Sequence, residues 1–164
     1  MTDTNTPPGS ADRLIDIILD EATIGHNSSQ VEHERRVAIF DLLEQNMFAL
    51  ENGPTGPYRL RLGIAEKRLI FDVSDENHKP LTAVALSLSS FSRLIKDYFL
   101  VCESYFEAIK TAPPARIEAI DMGRRSMHDE GSVLLMERLK GKISTDFPTA
   151  RRLFTLICAL HWKG

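Results

Sequence analysis

The stretch over residues 89–110, SSFSRLIKDYFLVCESYFEAIK, admits little other than a long helix. Phe91, Leu94, Ile95, Tyr98, Phe99, Cys102, Tyr105, Phe106 and Ile109 recur at steps of three and four, the stripe an amphipathic helix buries. Leu100 and Val101 widen the stripe, and at ~100° per residue Leu100 stands nearly opposite Phe91. The pattern predicts a core helix whose middle is covered on more than one side, with Arg93, Lys96, Asp97 and Glu103 on the edge left to solvent.

Upstream of this helix the period changes from about 3.6 to 2, the mark of strands. Residues 14–19, LIDIIL, predict a strand with Ile15, Ile17 and Leu19 on one face. A loop rich in cap residues follows, then a helix over 31–45 with Val31, Val37, Ala38 and Leu42 inward and Ser28 or Ser29 as its cap. The breaker cluster NGPTGP at 52–57 precedes two alternating runs, 58–64 and 68–73. A tight turn at Ala65 and Glu66 makes these a hairpin. It sets Leu62 against Leu69, Leu60 against Phe71, Tyr58 against Val73 and Arg59 against Asp72. Residues 81–88 predict a third strand of ambiguous facing, leading into the core helix with Ser89 or Ser90 as cap.

Downstream the pattern is helical. Pro114 suits a first helical turn, Gly131 followed by Ser132 marks a break before a further segment at 133–139, and Asp146 is placed to cap a last helix over 149–162. That last helix is apolar nearly all round, so it is buried or is half of an interface. The fold class expected is α+β: an antiparallel sheet of about four strands with a helical C-terminal half packed on one face. At 43% hydrophobic and 26% charged, the 164 residues suffice for one such domain over 12–164, after a polar, disordered tail over 1–11.

The richest polar constellation is IEAIDMGRRSMHDEGS at 117–132. On one helix Asp121, Arg125, His128 and Ser132 stack at steps of four, three and four, with Arg124 beside them. An acid, a base and guanidinium groups together suit proton transfer or an anionic ligand. The plainer account is an ordinary Asp121–Arg125 ion pair with His128 on the surface. Gly123, if the helix is continuous, permits close approach by another element. Arg151 and Arg152 open the last helix against its dipole, which calls for an acidic partner: Asp121, Asp129 or Glu130 within the chain, or a phosphate or carboxylate on the free N–H groups.

Other chemistries find no pattern. His33-Glu34 starts like a zinc-protease helix, but Val37 stands where the second histidine belongs, and no cofactor loop or ligand set is recognisable, so no metal and no cofactor is expected. Cys102 and Cys158 lie in apolar helical patterns and predict buried thiols in a reducing compartment. A net charge of −3 argues against nucleic-acid binding, which would need Arg35, Arg36, Arg124, Arg125, Arg151 and Arg152 on one surface. No apolar run approaches the ~20 residues a bilayer requires. A cytoplasmic protein is expected.

The segments VEHERRVAIFDLLEQN, FSRLIKDYFLVCESYFEAIK, IEAIDMGRRSMHDEGS and DFPTARRLFTLICALHWKG resemble a family of uncharacterised proteins from alphaproteobacteria, over nearly everything from Arg13 onward. The resemblance implies a bacterial, cytoplasmic protein and carries over no activity, cofactor or site residue. The functional expectation is therefore a binding or interaction protein without catalysis, with a protein partner or second copy docking on the C-terminal helix. The alternative is an enzyme or ligand-binding domain for a small phosphorylated or carboxylated molecule. There Arg124, Arg125, Arg151 and Arg152 hold the anion, His128 is the acid or base and Asp121 orients it.

Overall fold

A computed structural model describes residues 11–162. The expected disordered tail lies, apart from Ala11, outside these residues. The elements in chain order are β1 (Leu14–Leu19), α1 (Glu21–Ile24), α2 (Ser29–Glu44), β2 (Phe48–Leu50), β3 (Tyr58–Ala65), β4 (Arg68–Asp75), β5 (Pro80–Ser87), α3 (Ser89–Thr111), α4 (Pro114–Leu139), β6 (Ile143–Thr145) and α5 (Phe147–His161). The fold is α+β. Its main sheet has four strands in the order β1-β3-β4-β5, with helices on one face; a two-stranded ribbon, β2 with β6, lies apart. The sheet is mixed rather than wholly antiparallel, because β1 joins β3 in parallel.

The β3–β4 hairpin has the expected inner face but a register shifted by two. The turn residues are Glu66 and Lys67, both at positive φ, which is the two-residue geometry that matches strand twist. Leu62 therefore faces Phe71, Leu60 faces Val73, and it is Arg61 that faces Asp72. A shift of two preserves side-chain parity, so Leu60, Leu62, Leu69, Phe71 and Val73 are all buried as expected. In β5 the ambiguity resolves with Val84 and Leu86 inward. In β1 an irregularity between Leu14 and Asp16 breaks the alternation, so Leu14 and Ile17 are buried and Ile15 is not.

Helix α5 is the centre of the core. Asp146 caps it by accepting from Thr149 N at 2.9 Å, and nine of its residues are buried. Helices α2 and α4 flank it. The domain thus covers its own C-terminal helix, and the apolar surface on which a partner was expected to dock is already in use. Helix α2 is capped by Ser28 as expected, but Val37 and Phe40 are exposed and Arg35 takes the buried position. The Arg35 guanidinium donates to the carbonyls of Gly25 (2.8 Å), Ala159 (3.4 Å) and Leu160 (3.5 Å) and pairs with Glu32. Its charge sits at the negative end of the α5 dipole, which makes the burial tolerable.

Two expectations about the long helices are corrected. First, α3 begins one residue earlier than a serine cap requires, with Leu88 at its N-cap, and only Phe91, Ile95, Cys102 and Ala108 are buried along it. Leu100, Phe106 and Ile109 are about half exposed, because the second half of α3 runs with the first half of α4 beyond the sheet. Second, α4 does not break at Gly131. The glycine sits under α5, where a Cβ would lie 2.2 Å from Phe154 Cζ. Close approach therefore belongs to Gly131, and Gly123 faces open space with nothing within 4 Å of its missing Cβ.

The two glycines give opposite predictions. Gly131→Ala overpacks a fully buried ring and is expected to lower stability by roughly 1–3 kcal/mol. Gly123→Ala, in an open helical position, is expected to raise it by roughly 0.5–1 kcal/mol. Urea midpoints of the two variants check both signs. Arg35→Met strands three carbonyls and is expected to cost roughly 2–3 kcal/mol on the same measurement.

Candidate functional site

The crossing of α4 and α5 brings two similar sequences together. On α4 the order is Arg124, Arg125, two residues, then His128; on α5 it is Arg151, Arg152, two residues, then Thr155. In each helix the residue four after the first arginine returns to the same face. Where Gly131 meets Phe154 the helices are close enough for His128 Nε2 and Thr155 Oγ1 to stand 2.8 Å apart. Above this bond opens a cavity of about 840 Å³, lined by all four arginines, His128, Thr155, Pro148 and, from α3, Tyr98. That volume lies within the range of small-molecule sites.

The charges are arranged in a fixed pattern. Asp121, one turn before the α4 arginines, takes the Nε and Nη2 hydrogens of Arg124 and pairs with Arg125 Nη2 at 2.7 Å. Hydrogen bonding from Arg124, and then the charges of both arginines, hold the Asp121 carboxyl below its usual range. The Arg124 guanidinium also lies over the Tyr105 ring, 4.8 Å from its centroid. Arg151 pairs with Asp129. Arg152 has no carboxylate within ion-pair distance among the described residues; its Nη1 donates to the Gln45 carbonyl at 3.3 Å. Four guanidinium groups against two carboxylates leave the cavity with a net charge of +2 while His128 is neutral, on a chain whose total is −3.

His128 is held as a neutral group. Burial, and then the charge of Arg151, push its pKa down to about 4. The ring stacks edge-on to Phe154 (5.2 Å between centroids) and lies 5.6 Å from Tyr98. Thr155 spends its own hydrogen on the Arg151 carbonyl at 3.1 Å. It therefore accepts from His128, which puts the imidazole proton on Nε2. Nδ1 is buried with no hydrogen-bond partner among the described residues.

The expected site residues thus converge, with altered roles. Arg124, Arg125, His128, Arg151 and Arg152 share one cavity. Asp121 stands behind it and orients the arginines; the residue that orients His128 is Thr155, because Asp121 is seven positions and about two turns away. The anion anchor expected from free N–H groups of the last helix is largely spent, since Asp146 takes Thr149 N and Pro148 has no N–H. The six-arginine surface for nucleic acid does not assemble, because Arg35 is buried at the other end of α5. Sequence reasoning missed Thr155, Tyr98 and Pro148. Thr155 had a signal, the repeat of the Arg-Arg-x-x-polar spacing; Tyr98 reads only as core. Among the described residues no group of three or more His, Cys, Asp or Glu is placed to hold a metal ion. Among the described residues no helix is long and apolar enough to cross a membrane.

Comparison with known proteins agrees with the resemblance noted in the sequence. A family model described as Uncharacterised protein family (UPF0262) matches residues 11–163. A UPF0262 protein of Rhodopseudomonas palustris (strain BisB5) is 54% identical over 161 residues, covering 98% of this chain and 99% of the relative. A UPF0262 protein of Bradyrhizobium sp. (strain ORS 278) is 54% identical over 164 residues, covering 98% of each. No solved structure matches the chain. With a family model spanning nearly the whole length and relatives at this identity, the chain belongs to uncharacterised protein family UPF0262.

Proposed function

We propose that this protein is a binding domain for a small dianion, a phosphorylated or dicarboxylated molecule, in the bacterial cytoplasm. The observation that carries the reading is the convergence of four arginines from two helices on one cavity whose resident carboxylates neutralise only two of them. Guanidinium forks suit the paired oxygens of phosphate and carboxylate, and a ligand of charge −2 balances the site. Arg152, unpaired with any described carboxylate, and Arg125, whose side chain is 69% exposed, are the first to engage it. Arg124 and Arg151 are held by their acids and form the walls. Tyr98 and Pro148 supply apolar surface for the rest of the molecule. The free thiols Cys102 and Cys158 suit a reducing compartment.

Binding is favoured over proton transfer by the state of His128. One nitrogen is committed to Thr155 and the other is buried, so the ring contributes a fixed dipole to the wall. A protonated ring would stand next to Arg151 in a poorly solvated place.

Thermal unfolding with phosphate monoesters and dicarboxylates tests the reading. A ligand at 100 times its Kd adds about 2.7 kcal/mol, which for a chain of this size raises Tm by roughly 5–10 °C. Arg125→Ala with Arg152→Ala is expected to abolish the shift while leaving the unliganded Tm near that of the parent. Absence of a shift across the whole panel rejects the proposal.

His128 makes the stability of the fold depend on pH. Its folded pKa, about 4, is below the ordinary 6.5, so between these values the unfolded chain binds more protons and stability rises with pH. The contribution is complete above pH 6.5 and is lost as pH falls toward 4, by at most about 3 kcal/mol. Urea unfolding at pH 7 and pH 5 is expected to show a loss that His128→Gln reduces.

A further inference from the structure

The two edges of the main sheet are finished differently. On β1 the free edge is engaged at its first residue: Asn46 Oδ1 accepts from Leu14 N at 2.7 Å, and its Nδ2 donates to Leu14 O at 3.1 Å. The β1 register also carries an irregularity beside the charged Asp16. These are devices that stop a sheet edge from recruiting another strand.

Strand β5, the other edge, has none of them beyond its first two residues. Its sequence, PLTAVALS, contains no charged residue. The one irregularity against β4 lies where Leu81 is skipped, and Pro80 begins the strand, so residues 82–87 are regular. Thr82, Ala83, Ala85 and Ser87 are exposed. Apart from the ladder with β4, no backbone group of residues 82–87 has a backbone partner among the described residues. An antiparallel edge strand points every second N–H and C=O outward, away from its one neighbour.

We propose that β5 is a self-association edge, on which a second copy of this chain pairs its own β5 antiparallel to make a continuous eight-stranded sheet. Two-fold symmetry suits the strand. Side-chain parity requires that Val84 and Leu86 of one copy meet the inward positions of the other. An axis through Ala85 does this, setting Ala85 opposite Ala85, Val84 opposite Leu86 and Ala83 opposite Ser87 of the second copy. Both helical layers then lie on the same side of the joined sheet. The pairing brings no like charges together, because the strand has none; β1 paired with itself would bring two copies of Asp16 into one ladder. The proposal is independent of the arginine cavity, which lies on α4 and α5.

Sedimentation equilibrium from micromolar to submillimolar protein tests this. The unmodified chain is expected to reach twice its single-chain mass. Ala83→Lys with Ala85→Lys, shown to be folded by its thermal transition, is expected to halve that mass. Leu100→Lys with Phe106→Lys, on the exposed half of α3, is expected to leave it unchanged. Hydrogen exchange of the unmodified chain gives a reading that no misfolded variant confuses: amides of residues 82–87 gain protection as concentration rises. A single-chain mass throughout, a dimer indifferent to the β5 lysines or lost in the α3 variant, or exchange at residues 82–87 independent of concentration overturns the proposal.

Discussion

The contact between Gly131 and the Phe154 ring governs the rest of the arrangement. It is a point of close approach between α4 and α5, and it exists because one helix has no side chain there. The α4 and α5 side chains of the arginine cavity lie within about two turns of this contact. His128 precedes Gly131 by three residues and Thr155 follows Phe154 by one, so their hydrogen bond is a direct product of the helix spacing. On α4 the arginines lie about one further turn out, at six and seven residues before Gly131, whereas Arg151 and Arg152 are within a turn of Phe154. A wider crossing would separate His128 from Thr155 and remove the floor of the cavity.

Charge is spent economically around α5. At its C-terminal end Arg35 is buried to satisfy carbonyls the helix cannot satisfy itself, and Asn27 donates to the Trp162 carbonyl at 3.0 Å. At its N-terminal end Asp146 supplies the cap that the dipole favours. Arg151 and Arg152, which the dipole disfavours, are opposed by Asp129 and by nothing charged, respectively, among the described residues. Helix α5 is thus met by a buried cation of α2 at one end and carries, at the other, an arginine with no carboxylate partner among the described residues. Surplus positive charge on a protein of net charge −3 is a local property, created by which side chains the fold gathers.

What was legible in the chain was local. The caps Ser28 and Asp146, the inward face of the hairpin, the long helix after β5 and the α+β class all follow from residues close together in sequence. What was not legible required knowledge of neighbours. Parity survives a two-residue shift, so alternation alone could not tell Leu62 facing Leu69 from Leu62 facing Phe71. A glycine inside a helical pattern reads equally as a stop or as a place of contact, and only the position of Phe154 decides for Gly131. Strands β2 and β6, three residues each, are too short to show a period. The apolar stripe of α3 promises burial for Phe106 and Ile109, yet among the described residues nothing covers them and both stay about half exposed. The arginines of the cavity were identifiable individually; that they share it depends on a crossing angle no local pattern encodes.

The central place of α5 bears on how the chain comes to be folded during its synthesis. Its inward residues complete a core whose other walls, the sheet and helices α2, α3 and α4, are all made earlier. While the ribosome is still building α5, the apolar face of the sheet has only part of its cover, and Arg35 has no helix end to engage. The nascent chain must carry that greasy surface until α5 leaves the exit tunnel. The core therefore cannot close before α5 is available, and a message cut short before α5 would yield a product for chaperones and proteases.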